Sequence, residues 1–123
     1  MKQGFVKVAS ATPRIRVADP VYNAQVICEQ AKEAAEHGAK IVVFPELCIT
    51  GYTCNDLFLQ ELLLEKAKEA LLTIAEETGQ LETLFLVGLP VDKDGRLYNV
   101  AAVLYRGRIL GMIPKKNIPM YAE

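Results

Sequence analysis

The feature that most restricts the fold of this 123-residue chain is the run Ile41-Val42-Val43-Phe44, cut off by Pro45 and followed at once by Glu46. Three β-branched residues and a phenylalanine in unbroken sequence favour a strand. The lack of polar alternation predicts burial on both faces, as in a parallel sheet. Pro45 ends the ladder, because it has no N–H to donate. Glu46 is thereby delivered to the carboxyl end of the strand, the edge at which open α/β sheets hold their ligands.

The flanking sequence supplies the rest of a β-α-β unit. Phe5–Ser10 reads as a first strand, and Asp19 and Pro20 then provide an N-cap and a first helical residue. Ala24, Ile27, Cys28, Ala31, Ala34 and Ala35 recur at three- and four-residue spacing to about His37, where Gly38 stops the helix. A second amphipathic helix runs from about Asp56 to Thr78, with Leu63, Ala67, Ala70, Leu71, Ile74 and Ala75 on its buried stripe. Thr83–Val87 is the next strand. The turn signals Asp94-Gly95 and Arg106-Gly107 then set off Leu97–Leu104 and Arg108–Ile113 as strands of a meander. The order β-α-β-α-β-β-β predicts an α/β fold, a mixed sheet with both helices on one face. Some of Leu86, Val87, Val100, Ala102 and Val103 must then point at the other face, so a further layer is expected there from more chain or a partner.

Charge and cysteine content remove several classes of function. The formal net charge is -1 and no run of like charge exceeds Lys115-Lys116, so no nucleic-acid partner is expected. Lys7 interrupts the one stretch resembling a signal core, and no apolar run nears the roughly 18 residues of a membrane span. A cytoplasmic location with no membrane partner is expected. Cys28, Cys48 and Cys54 contain no C-x-x-C pair and His37 is distant from them, which fits neither a disulfide framework nor a metal site. Cys28 reads as a small buried hydrophobe on its helix. Cys48 and Cys54 flank the loop after Glu46, where a reactive thiol is the lesser of two readings.

A second candidate lies at Ile113-Pro114-Lys115-Lys116-Asn117-Ile118-Pro119, where a lysine sits between two prolines just past the last strand. Taken singly, Glu46 reads as a helix cap or solvated loop residue and Lys115 as a surface charge. Taken together, in the settings Phe44-Pro45-Glu46-Leu47 with Gly51-Tyr52 and Pro114-Lys115 with Pro119 and Tyr121, they are far more specific. The chain resembles the nitrilase (carbon-nitrogen hydrolase) superfamily, whose members use a Glu-Lys-Cys triad on an α-β-β-α sandwich. In that fold two sheets pack together with helices outside, which would account for the uncovered sheet face.

Within the superfamily, Gly4–Ala9, Gly51-Tyr52-Thr53-Cys54-Asn55-Asp56-Leu57-Phe58, Leu97-Tyr98-Asn99 and Gly111–Lys115 are similar to the N-terminal glutaminase domains of glutamine-dependent NAD synthetases. The resemblance spans essentially the whole chain and implies that residues 1–123 are the N-terminal part of such a domain, with the synthetase domain absent. It makes Glu46 the general base and Lys115 the ammonium that stabilises the tetrahedral intermediate. Glu123 is then a supporting glutamate, and Tyr121 and Tyr52 line a glutamine pocket. The implied activity is hydrolysis of glutamine to supply ammonia for ATP-dependent amidation of nicotinic acid adenine dinucleotide to NAD, by an enzyme expected to be a homo-oligomer. No cofactor is implied for this chain. ATP and magnesium belong to the synthetase domain, and no glycine-rich phosphate loop occurs here.

The chemistry is coherent with those residue types. An amide is a poor electrophile, so its cleavage calls for a thiolate, a base to generate it, and a fixed positive charge at the developing oxyanion. In a buried, water-poor pocket the carboxylate and the ammonium would also hold one another ionised. The departure from the family is the nucleophile: the superfamily places it several tens of residues after the lysine, and no cysteine follows Lys115 in this sequence. The chain alone is therefore expected not to hydrolyse glutamine, and its last residues read as an interruption. Two alternatives stay open: part of another carbon-nitrogen hydrolase, acting on an aliphatic amide or a carbamoyl compound, and a non-catalytic module that binds a partner through the exposed sheet face.

Overall fold

The first helix begins as its sequence signals require: the Asp19 carboxylate accepts the Tyr22 N–H at 3.2 Å, and Pro20 occupies the first turn. The structure, a computed structural model, describes residues 6–51 and 57–114, with side chains described for all of these except 57–60. Its elements are β1 (Val8–Ser10), α1 (Pro20–Glu36), β2 (Ile41–Val43), α2 (Leu57–Glu77), β3 (Leu84–Lys93), β4 (Arg96–Tyr105) and β5 (Arg108–Pro114). They form one five-stranded sheet in the order β1-β2-β3-β4-β5, with β1, β2 and β3 parallel and the last two pairings antiparallel. The mixed α/β sheet foreseen from the pattern is thus present, with every expected element in its place.

Both helices lie on one face. Ala24, Ile27, Cys28 and Ala31 of α1 and Ala67, Ala70, Leu71, Ile74 and Ala75 of α2 share a single core with Val42, Phe44, Phe85, Val87, Leu89, Val100, Ala102 and Leu104. Burying each of the larger side chains in that core contributes roughly 1.5–3 kcal/mol. The opposite face is open: Leu86, Ala101 and Val103 are half-buried there, Val43 is 40% exposed and Ile113 55% exposed. Among the described residues no helix is long and apolar enough to cross a membrane.

Two expectations need correcting. Strand β2 is not buried on both faces, since Val42 is fully buried but Val43 is not; the helices cover one side only. Strand β3 does not end at Val87 but runs on to Lys93 through Pro90. The carbonyls of Leu86 and Gly88 point toward β2, accepting from Phe44 and Ile49, so the nitrogen of Pro90 faces that same side, beyond the end of β2. A missing N–H there removes no bond to β4, and a proline is tolerated. The expected strand residue Phe5 lies outside the described residues, while Val6 and Lys7 precede the strand.

The turns match their chemistry. Asp94 and Gly95, and again Arg106 and Gly107, all have positive φ (53° and 79°, 52° and 83°), the primed turn geometry that the twist of a two-residue hairpin selects. One fixture was not foreseen. The side chain of Asn23, fully buried in α1, accepts the Arg16 N–H and donates to the carbonyls of Arg16 and Ile49, each at 2.7 Å. It ties the helix to the loop that precedes it and to the turn that follows β2.

Candidate active site

The turn after β2 departs from the ladder in a way that lifts Glu46 off the strand line. Phe44 N–H donates to the Leu86 carbonyl at 2.9 Å, and the next β3 carbonyl on that side, Gly88, accepts the backbone N–H of Ile49, five residues on, at 3.2 Å. Residues 45–48 are therefore looped out. They cross the open face directly above Gly88, where a Cβ would stand 2.6 Å from the Pro45 oxygen and the Leu47 nitrogen and 2.9 Å from the Glu46 Cα. Only a residue without a side chain admits a second backbone this closely. Leu47 turns back with φ 53°, and Gly51 N–H closes the turn on the Leu47 carbonyl at 2.6 Å. Ile49 is held at both ends, by Gly88 and by Asn23.

Glu46 sits at the wall of a cavity of about 320 Å³ on the open face, lined by Val43, Leu86, Gly88, Asn99, Ala101 and Ile113 among others. Its Oε1 accepts from the Nδ2 of Asn99 at 3.3 Å. Asn99 is 4% exposed although its partner is not buried. Glu46 is exposed, contrary to the buried carboxylate expected.

Of the residues singled out from the sequence, Glu46 is placed as expected, at a strand's carboxyl end beside a cavity. Lys115, Glu123, Tyr121 and Tyr52 lie outside the described residues, so the convergence of Glu46 and Lys115 does too. The described chain stops at Pro114, which pairs with Val100 on the wall of the same cavity and immediately precedes Lys115 in sequence.

The thiols divide in the same way. Cys48 is 1% exposed, its Sγ lies 3.6 Å from the Gly88 carbonyl, and burial pushes its pKa up to about 11. Burial likewise raises Cys28 to about 11, with Glu77 adding to the effect. A thiol held protonated is a poor nucleophile, so neither fits the reactive role. Cys28 is the buried hydrophobe expected, and Cys54 lies outside the described residues.

Two residues of the site went unassigned in the sequence: Gly88 and Asn99. Each left a signal. A glycine inside an apolar strand marks close approach of another backbone, and an asparagine heading the run Val100-Ala101-Ala102-Val103-Leu104 marks a buried polar partner.

Residues 7–121 match the carbon-nitrogen hydrolase family. The glutamine-dependent NAD(+) synthetase of Mycobacterium tuberculosis is 38% identical over 122 residues, covering 99% of this chain and 18% of that protein. The crystal structure of a glutamine-dependent NAD(+) synthetase from Cytophaga hutchinsonii superimposes with a TM-score of 0.82 at 30% identity, over 93% of this chain and 19% of that one. An amidase from Nesterenkonia sp. has a TM-score of 0.75 at 22% identity, over 98% of this chain and 47% of that one, a likeness of fold. The chain spans about a fifth of the length of the NAD(+) synthetases it matches. Its α/β architecture is of the nitrilase type.

Proposed function

The chain belongs to the carbon-nitrogen hydrolase family, and from that premise we propose that residues 1–123 form the N-terminal part of a glutamine amidohydrolase domain like that of the glutamine-dependent NAD synthetases. The observation that carries this reading is the placement of Glu46, raised over Gly88 onto the rim of a cavity and bonded to Asn99. The 38% identity to a synthetase of that name supports the substrate.

In this reading Glu46 accepts a proton from a cysteine thiol, and the thiolate attacks the side-chain carbonyl of glutamine. The Lys115 ammonium stabilises the tetrahedral oxyanion. Protonated Glu46 gives its proton to the departing nitrogen, releasing ammonia and leaving a thioester. It then takes a proton from water, whose attack yields glutamate and returns that proton to the thiol. The thiol is neither Cys28 nor Cys48, both buried and protonated. Tyr52 and Tyr121 line the substrate pocket and Glu123 supports the catalytic groups.

The ammonia would feed amidation of nicotinic acid adenine dinucleotide on a separate ATP- and magnesium-dependent domain of a homo-oligomeric, cytoplasmic enzyme. Among the described residues no three His, Cys, Asp or Glu come together to hold a metal, and the sequence has no glycine-rich phosphate loop.

The test uses the product of the full reading frame. Glu46→Gln and Lys115→Ala should each remove glutamine-driven NAD synthesis and leave synthesis from free ammonium largely intact. Near-normal glutamine-driven rates in both would defeat the assignment.

A further inference from the structure

We propose that Asn23 is a positioning residue for this reaction: its side-chain amide locks the loop before α1 against the turn that carries Glu46, and so fixes where that carboxylate stands. The inference rests on the reading of Glu46 as general base. Asn23 closes the first turn of α1 and is fully buried, and its amide serves two segments far apart in sequence. Oδ1 accepts the Arg16 N–H, and Nδ2 donates to the carbonyls of Arg16 and Ile49, each at 2.7 Å. Glu46 is the third residue before Ile49.

An amide is the group this position calls for. Two converging carbonyls need two N–H donors, and the Arg16 N–H needs an acceptor. Asparagine carries all three on one planar group, whereas aspartate has no donor and serine has one. The pattern also fixes how the amide is turned, since the flipped form would set its oxygen against both carbonyls. Glutamine would carry the same atoms one bond further out, into a site with no room to spare.

The bond to Ile49 completes a clamp on the turn. Toward β3, the Ile49 N–H donates to the Gly88 carbonyl at 3.2 Å. Toward α1, the Ile49 carbonyl accepts from Asn23, and the Thr50 carbonyl accepts the Ala18 N–H at 2.7 Å, from the same loop that Asn23 fixes through Arg16. Gly51 lies against that loop too, with only 3.3 Å between the position of an added Cβ and the Val17 Cα. Within the clamped arc, Leu47 has φ 53°, a conformation that a leucine keeps only where its surroundings over-determine it. Releasing the α1 side leaves the arc held from β3 alone, and the backbone that carries Glu46 can relax.

The experiment compares Asn23→Ala, Asn23→Ser, Ile74→Ala and Glu46→Gln in the product of the full reading frame, by steady-state glutamine hydrolysis and by ammonium-driven synthesis, well below each variant's melting temperature. Asn23→Ala should lower kcat for glutamine about ten- to a hundredfold with KM changed less than about threefold, and leave ammonium-driven synthesis unchanged. Ile74→Ala controls for stability. Ile74 is buried beside Ala75, whose carbonyl approaches Gly107 at the opposite end of the sheet from Glu46. Its truncation should lower the melting temperature and keep kcat within about threefold. A merely structural role for Asn23 predicts that same pair of results, a lower melting temperature at unaltered kcat, and overturns the inference. So does an equal loss of kcat in Ile74→Ala, which would make the effect one of general stability. Asn23→Ser, whose hydroxyl can donate to one carbonyl and not to two, should show the same fall in kcat and decides by itself if the alanine variant does not fold. Normal glutamine turnover in Glu46→Gln would instead sink the reading of the site, whereas a dead Glu46→Gln beside full kcat in the Asn23 variants sinks the inference alone.

Discussion

A single methyl group at position 88 tests how the site is built. In Gly88→Ala the new Cβ would meet the Pro45 oxygen and the Leu47 nitrogen at 2.6 Å and the Glu46 Cα at 2.9 Å. Attractive contact of a carbon atom begins near 3.5 Å, so the turn must withdraw by about 0.9 Å. All three obstructing atoms belong to the backbone, and no change of rotamer relieves the clash. Overpacking of this kind costs roughly 1–3 kcal/mol, offset by about 0.4–1 kcal/mol from the stiffer unfolded chain, for a net loss near 1–2 kcal/mol. The larger effect falls on the proposed catalysis: with Glu46 as the base, a displacement close to 1 Å is expected to lose about a hundredfold in glutamine turnover. Two assays report on it in the product of the full reading frame. Hydrogen exchange should accelerate at the amides of Ile49 and Gly51, which bond to the Gly88 and Leu47 carbonyls. Glutamine-driven synthesis should fall while ammonium-driven synthesis holds. Gly111→Ala is the matched control, because among the described residues, its chain neighbours aside, no heavy atom lies within 4 Å of its added Cβ. If both variants exchange and turn over alike, the account of the looped-out turn is wrong.

Further outcomes follow from other parts of the chain. Cys28 and Cys48 should resist alkylation at pH 8 in the native protein and label rapidly in denaturant, as read by mass spectrometry of the peptides that contain them; fast native labelling of Cys48 would reinstate it as a nucleophile. Their folded pKa of about 11 lies above the ordinary 9.0, so the stability they contribute is complete below pH 9 and is lost as pH rises through 11. The loss amounts to no more than about 2–3 kcal/mol per thiol. Cys48→Ala should therefore flatten the fall in denaturant midpoint between pH 9 and 11, and an unchanged slope would refute this. Asn23→Ala removes three hydrogen bonds of 2.7 Å and leaves the buried Ile49 carbonyl and the part-buried Arg16 carbonyl and amide without that partner, so it should cost about 3 kcal/mol and increase exchange at Ile49. A loss under about 1 kcal/mol would show that the loop before α1 is not held by this residue.

Local signals in the chain were sufficient for the order of elements. Asp19 with Pro20, Gly38, Asp94-Gly95 and Arg106-Gly107 act through backbone geometry within a few residues, and the three- and four-residue spacing of apolar positions marked which side of each helix is buried. The same range of influence placed Glu46 at the end of a strand, because Phe44 and Pro45 are its immediate neighbours. What lay beyond reach was whatever depends on register between distant segments. That Val43 is left exposed follows from which face the helices cover, a matter settled only when α1 and α2 pack together. That Gly88 passes beneath Glu46, that Asn99 answers it from 53 positions away, and that Cys48 is sealed against the Gly88 carbonyl all follow from the pairing of β2 with β3 and β3 with β4. The amino-acid order thus determined which elements form and which carboxylate reaches the sheet edge, since those depend on short-range sterics and hydrophobic period. The assembled sheet alone decided what surrounds that carboxylate, since a contact between strands exists only once chain entropy has been overcome and their register set.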